Sequence, residues 1–456
     1  CADVMPTYLF VMNVSNFSQI YQLYTRADGT GVPIRNFQWD TDESGLYDAH
    51  FAVRNVPEMF EAFEPRFGRY PFSTYGHCAV HPINIGGMEH QTMTTVTRKW
   101  LEGNAETGYA HELGHQWLGN AVTCATWGDI WLNEGGATFS EAVWREHGEG
   151  IAGYTDQMMR RRRKYMDQGF SAPAVWDIPI GNLFNEATTY AKASWVYHMM
   201  RRMLGDELFF SKLQLYLKTF RGQSIQTAQF ESFWKQQVPN PPVAWDTFFE
   251  QWLVKRGHPV FWVRLEQLKD TANRIRVVVD QVQEAPSTPN VFHCLVGVRL
   301  YSQGIVVGQH QFVMNERSAS FTVDGSLVVD SIEFDPDMLT LNENITDVAV
   351  SVSDDEQALN PSRCETCPTI RVIGANPVAP EEEIVLGISR SGYGLVGIND
   401  EASFSLVDMR GLTMWSAAVS ASQNTIRIFD SHLSAGAYVA VLTSRWGTTT
   451  TRIIVR

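Results

Sequence analysis

The stretch YAHELGHQWLGN, residues 109–120, sets His111 and His115 four apart with Glu112 beside the first. Four residues make about one helical turn, so on a helix both imidazoles lie on one side and can share a metal ion. Two histidines on a helix face without any metal is the competing reading, and a third ligand decides between them. In TWGDIWLNEGGATFSE, Glu134 stands nineteen positions after His115, inside another helix-like segment. Two histidines and one carboxylate leave the fourth position of a tetrahedral Zn²⁺ open, as in catalytic rather than closed structural sites. Glu112 cannot point as the histidines do; it can face a water at that open position and accept its proton as general base. The expectation is one Zn²⁺ per chain, held by His111, His115 and Glu134. Trp117 and Leu118 in the same stretch read as core.

Around this motif lie 456 residues, 44% hydrophobic and 19% charged, too long for one core and sufficient for two or three domains. The formal net charge of -14 argues against nucleic acid as a partner, which would require a basic surface. No apolar run reaches the ~18 residues of a transmembrane segment. The sequence starts at Cys1 and runs directly into PTYLFVMNV, which reads as strand-like; a chain missing its true N-terminus is expected. Among six cysteines, Cys364 and Cys367 form CETC in a Pro-flanked, loop-like stretch. A structural disulfide or an isolated pair fits that setting better than a redox motif. The run RRRRK, residues 160–164, suggests a polyanion patch, but beside Met158, Met159, Tyr165 and Met166 it reads better as the solvated side of a helix.

Residues 1–60 read as strands and turns, with DGTGVPIRNF as a turn cluster. From about residue 54 to 255 the pattern is helical: VPEMFEAFEPRFG and ASWVYHMMRRML space their apolar residues by three and four. At GHPVF, residues 257–261, helical periodicity ends and short β runs follow. The predicted fold is multidomain α+β: a mainly helical domain over 1–256 carrying the metal motif, then two small all-β sandwich domains. These cover 257–350 and 370–456, joined by a polar linker over 351–369.

The HExxH stretch, eighteen residues and then Glu134 within WLNEG resemble the gluzincin metallopeptidases, and the M1 family of zinc aminopeptidases among them, which implies that the helical domain over 1–256 is a thermolysin-like zinc peptidase domain. The resemblance runs from PTYLFVMNV to FFEQWLVKRGHPV, more than half the chain. GGMEH, residues 86–90, resembles the family's GxMEN motif, 22 residues before His111. By that resemblance Gly86, Gly87, Met88 and Glu89 bind substrate, Glu89 pairing with the free α-amine; His90 departs from the usual Asn. An ammonium in a partly dry pocket needs such a carboxylate, and the backbone there can add an extended peptide as a strand. TTYAKASWVYHMM resembles the segment whose tyrosine stabilises the tetrahedral intermediate, which assigns Tyr190 that role opposite the zinc; Ala193 replaces the usual Gly. Glu141, seven after Glu134, matches a family glutamate and is expected to orient a ligand, with Asp129 a further candidate. By the same resemblance, the family's N-terminal β domain and large helical C-terminal domain are expected to have no counterpart within these 456 residues.

The C-terminal stretch from ANPVAPEEEIVL through FSLVDMRGLTM to LSAGAYVAVLTSRWGTTTTRIIVR resembles sorting domains of the type IX secretion system. That implies a secreted or bacterial cell-surface protein engaging secretion machinery; a plain β-sandwich appendage is the alternative. The leading reading is an exported zinc aminopeptidase acting on peptides with a free N-terminus. Its rivals are a thermolysin-like zinc endopeptidase, which would not need Glu89, and a non-catalytic surface or adhesion protein on a peptidase fold, which would not need the whole residue set.

Overall fold

The computed structural model describes residues 3–39, 48–81, 86–268, 274–284, 287–323, 329 and 331–353, and beyond these the backbone of seven further strands. The first element is a 3-10 turn at Thr7–Leu9, and among the described residues no strand forms before Phe17. The strand-like run PTYLFVMNV is therefore not a strand; Leu9 is its buried anchor. β1 (Phe17–Thr25) and β2 (Gly31–Trp39) then form an antiparallel hairpin whose turn places Gly29 at positive φ.

α1 (Ala49–Val53) is capped by the Asp48 side chain, which accepts from the Phe51 backbone N–H. α2 (Val56–Phe67) follows, burying Val56, Met59, Phe60, Phe63 and Phe67, the three-and-four spacing seen in the sequence. The chain returns to the sheet as β3 (Tyr75–Val80), β4 (Gly87–Met88) and β5 (Thr94–Thr97), giving the order β1-β2-β3-β5-β4. β3 runs parallel to both its neighbours, while β4 is an antiparallel edge. α3 (Glu106–His115) packs against this sheet and carries the HELGH stretch.

After β6 (Val122–Cys124) comes α4 (Trp131–Met166), which is not one rod. Gly150 adopts φ 65 and ψ -161, a conformation open in practice only to glycine. There the helix doubles back. Glu141 and Arg161, twenty residues apart, would sit ~30 Å apart on a straight helix, yet they are hydrogen-bonded at 2.6 Å. A π-helical turn at Glu186–Lys192 leads into α5 (Ala193–Leu204), α6 (Asp206–Thr219), β7 (Gln223–Ile225), α7 (Thr227–Gln237) and α8 (Trp245–Phe249). β7 pairs in parallel with β6.

The change of pattern expected at GHPVF coincides with β8 (Val260–Leu268). With β9 (Ile275–Gln281), β10 (Cys294–Ser302), β11 (Ile305–Met314), β12 (Ser318–Val323), β13 (Ser331–Phe334) and β14 (Glu343–Ser353) it builds two sheets, β12-β9-β8-β14 and β11-β10-β13. Alternate residues Phe261, Val263 and Leu265 meet Val296, Val298 and Leu300 in a common core, as period-two burial requires. This unit docks on the helices through polar contacts. Arg162 donates to Asn342 O at 2.6 Å, the His198 ring bonds Met338 O at 2.6 Å, and Tyr165 bonds His258 at 3.0 Å. Seven strands between Thr369 and Val455 form two further sheets, of three and four strands. Cys364, Cys367 and the Asn-Pro at 376–377 lie outside the described residues.

Replacing Gly150 with alanine is expected to destabilise the chain by ~1–3 kcal/mol, the usual cost of forcing a side chain into such a conformation. The check is the first unfolding transition in urea, which shifts to lower denaturant; an unchanged midpoint would show that the reversal does not need glycine.

Candidate active site

α3 presents His111 and His115 one turn apart, and the first turn of α4 brings Glu134 against them. Glu134 Oε2 lies 3.4 Å from His111 Nε2 and 3.3 Å from His115 Nε2, and the two Nε2 atoms are 3.1 Å apart. The outer nitrogens are engaged elsewhere: His111 Nδ1 bonds Glu141 Oε1 at 2.9 Å and His115 Nδ1 bonds Leu118 O at 3.1 Å. Both Nε2 atoms are thereby turned toward the centre of the trio. Ligand atoms about 2.0–2.1 Å from a tetrahedral zinc ion stand ~3.3 Å from one another. The three observed separations fit that edge length, so the residues present fit such an ion. Among the described residues this is the one cluster of three such groups able to hold a metal.

Without an ion the trio is a tight set of charges. Burial works against protonated His111, but hydrogen bonds to Glu134 and Glu141 outweigh it and raise the ring to about 10. Burial likewise opposes an ionised Glu134, and the two histidines overcome it and hold its carboxyl below the ordinary range.

Glu112, on the same helix, is 5% exposed, and its Oε2 is buried with no hydrogen-bond partner among the described residues. Burial pushes its carboxyl up to about 8, against the pull of His111 and His115. β4 runs directly over it: a Cβ on Gly87 would collide with Glu112 Oε1, so glycine lets this edge strand pass without displacing the carboxylate. Gly86 is exposed, and Gly87 and Met88 are partly so, leaving the segment accessible from one side.

Glu89 follows β4 and is buried. Its backbone carbonyl accepts from Asn120 Nδ2 at 2.7 Å and from Gln116 Nε2 at 3.4 Å, so the end of α3 fixes its place. Burial raises its pKa, opposed by His115 and compounded by Glu134, which brings it into the field of the trio. His90 turns aside to Thr95 Oγ1 at 2.9 Å. Tyr190, in the π-helical turn, lies with its ring 6.2 Å from the His111 ring at 30°. Burial first, and then Glu134 and Glu89, raise its phenol above the usual range, so it remains a donor. Two residues on, Lys192 is fully buried, donates to Gly257 O at 2.9 Å, and is drawn down by burial to about 7.

Asp129 does not reach the trio. Its carboxylate accepts from Thr227 N at 2.9 Å, Thr227 Oγ1 at 2.8 Å, Trp176 Nε1 at 3.2 Å and Thr126 Oγ1 at 2.7 Å, and so anchors the start of α7. The RRRRK run is also only half as expected. Arg160, Arg163 and Lys164 are exposed, whereas Arg161 and Arg162 turn inward to Glu141 and Asn342. Sequence reasoning missed Tyr8 altogether. Its hydroxyl lies 3.5 Å from Glu89 Oε1 and accepts from Asn133 Nδ2 at 3.2 Å. Nothing local marks a tyrosine inside an apolar run as part of a site.

Comparison with known proteins gives the same picture. Residues 51–252 match the Peptidase family M1 domain. Aminopeptidase N of Lactococcus lactis subsp. lactis is 30% identical over 247 residues, covering 48% of this chain and 28% of that protein. Aminopeptidase N of Mus musculus is 27% identical over 287 residues, covering 57% of this chain and 29% of that protein. The chain thus spans only about 30% of the length of these relatives. In fold it is similar to the crystal structure of Legionella pneumophila aminopeptidase A in complex with aspartic acid, with a TM-score of 0.62 at 17% identity, over 76% of this chain and 40% of that one. Residues 51–252 thus match the M1 peptidase domain in sequence, and the chain is similar in fold to an aminopeptidase.

Proposed function

We propose that this chain is a zinc aminopeptidase, removing N-terminal residues from peptides. The observation that carries the reading is a buried carboxylate, Glu89, held in the field of the two-histidine, one-glutamate set and of the unpartnered Glu112. The names of the relatives and the donor set both support it. His111, His115 and Glu134 would hold one zinc ion per chain, and that ion when bound would polarise the scissile carbonyl and acidify a water. Glu112 accepts the water's proton and hands it to the leaving amine. Tyr190 donates a hydrogen bond to the oxygen on which charge develops. Glu89 receives the substrate ammonium, and the backbone of Gly86, Gly87 and Met88 aligns the peptide as an added strand. Glu141 holds His111 with its Nε2 toward the metal. The C-terminal motifs support export to the cell surface or medium. Deletion of residues 370–456 should retain the protein inside the cell, and unchanged export would overturn that part.

The central test uses aminoacyl nitroanilides and N-acetylated peptides, with and without a chelator. Glu112→Gln should keep its zinc and lose ~10²–10⁴ in turnover, since an amide preserves shape but takes no proton; a zinc-loaded variant with full activity would place the base elsewhere.

Glu89→Ala should reduce kcat/KM for free-amine substrates and narrow their advantage over acetylated ones, because the charge-assisted bond is gone. Equal cleavage of blocked and free peptides by the unaltered chain would favour the endopeptidase reading, and no cleavage of either by the zinc-loaded chain would favour the non-catalytic one.

A further inference from the structure

We infer that Arg161 is a positioning residue that ties the metal-holding edge of the site to the turn that carries Tyr190. The inference rests on the reading of His111, His115 and Glu134 as metal ligands and of Tyr190 as the oxyanion donor.

The contacts of this one guanidinium divide into two arms. One reaches Glu141: NH2 donates to Oε1 at 2.6 Å and Nε donates to Oε2 at 3.2 Å. That same Oε1 accepts from His111 Nδ1 at 2.9 Å, and Gln157 Nε2 donates to Oε2 at 2.6 Å. Both oxygens of a buried carboxylate are therefore occupied, and its orientation is set. The other arm is NH1, which donates to Glu186 Oε1 at 2.8 Å. Glu186 opens the π-helical turn Glu186–Lys192, four residues before Tyr190.

A planar guanidinium with five donors in a rigid fork can span two carboxylates in fixed directions; an ammonium, a single point charge, cannot. Fixing Glu141 keeps the proton on His111 Nδ1 and leaves Nε2 free as a ligand. Fixing Glu186 holds the first residue of the turn that places the phenol beside the His111 ring. Arg161 reaches this position only because α4 reverses at Gly150. On its outer side it borders a solvent-open cavity of about 790 Å³, lined also by Gln157, Arg160, Arg163 and Trp144. Truncating Arg161 would open its place to that cavity and to solvent.

The two arms predict two readouts. In the full chain, Arg161→Ala should weaken zinc binding ~10–100-fold, the usual effect of losing a group that orients a ligand, as measured by competition with a chromophoric chelator. At saturating zinc its kcat should fall with KM little changed. Methylguanidinium at millimolar concentration should restore both quantities in Arg161→Ala and leave the unaltered chain unaffected, while potassium chloride of equal ionic strength should not. Arg161→Lys, which keeps stem and charge, should recover only part of either. Glu186→Ala removes one arm and should lower kcat while leaving zinc affinity unchanged. Zinc affinity and kcat in Arg161→Ala within twofold of the unaltered chain, or losses that methylguanidinium does not relieve, would overturn the inference. If Arg161→Ala does not fold, Arg161→Lys decides: zinc affinity and kcat equal to the unaltered chain overturn it. Failure of the unaltered chain to bind zinc would instead overturn the metal reading itself, together with this one.

Discussion

Two imidazoles and a carboxylate meet within 3.1 to 3.4 Å of one another, in a site where His115 and Glu134 are almost wholly buried. The rest of the domain is arranged around that constraint. Polar groups taken out of water are costly unless every donor and acceptor is matched, and a half-matched network is worse than an apolar core. Here the matching extends outward in shells. The outer nitrogens of the rings reach Glu141 and the Leu118 carbonyl, and Glu141 is in turn held by Gln157 and Arg161. Glu112 Oε2 is left without a partner among the described residues, on the side where the edge strand β4 passes.

This network is stiff because α3 is clamped from behind. Trp117, just past the helix, donates to Gly68 O at 2.9 Å and packs against Phe60, Phe63, Phe67 and Tyr70, with ring centroids 5.2 to 6.3 Å away. Aromatic edges on faces at these distances add to the area buried. A site carried on helices braced in this way can hold ligand atoms within the few tenths of an ångström that metal binding and catalysis demand.

The β-sandwich after residue 257 belongs to the same support. Lys192 at the end of the turn carrying Tyr190, Tyr165 and Arg162 on the returning arm of α4, and His198 on α5 all spend their polar groups on it. The boundary seen in the pattern at GHPVF is thus a change of secondary structure, across which the hydrogen bonding of the site's own helices continues.

How much of this was legible follows from the range of the interactions. The pairs that helical spacing creates were readable: the two histidines one turn apart, the apolar faces of α2 and α5, the alternation of β8 and β10. A carboxylate nineteen residues on, in a helix-like segment, was enough to nominate Glu134. What could not be read is whatever depends on where the chain turns back. Glycine at 150 looks like any helix glycine until its φ of 65 is known, and without that reversal Arg161 belongs to a solvated face and Glu141 has no cation. Tyr8 meets Glu89 across 81 residues, and Asp129 meets Thr227 across 98. Spacing, propensity and periodicity act over a turn or a strand pair and so nominated the candidate ligands and the class of site. The positions of Tyr8, Arg161 and Asp129 were decided only by tertiary packing, because hydrogen bonds between distant segments depend on close approach in space and leave no periodic trace along the chain.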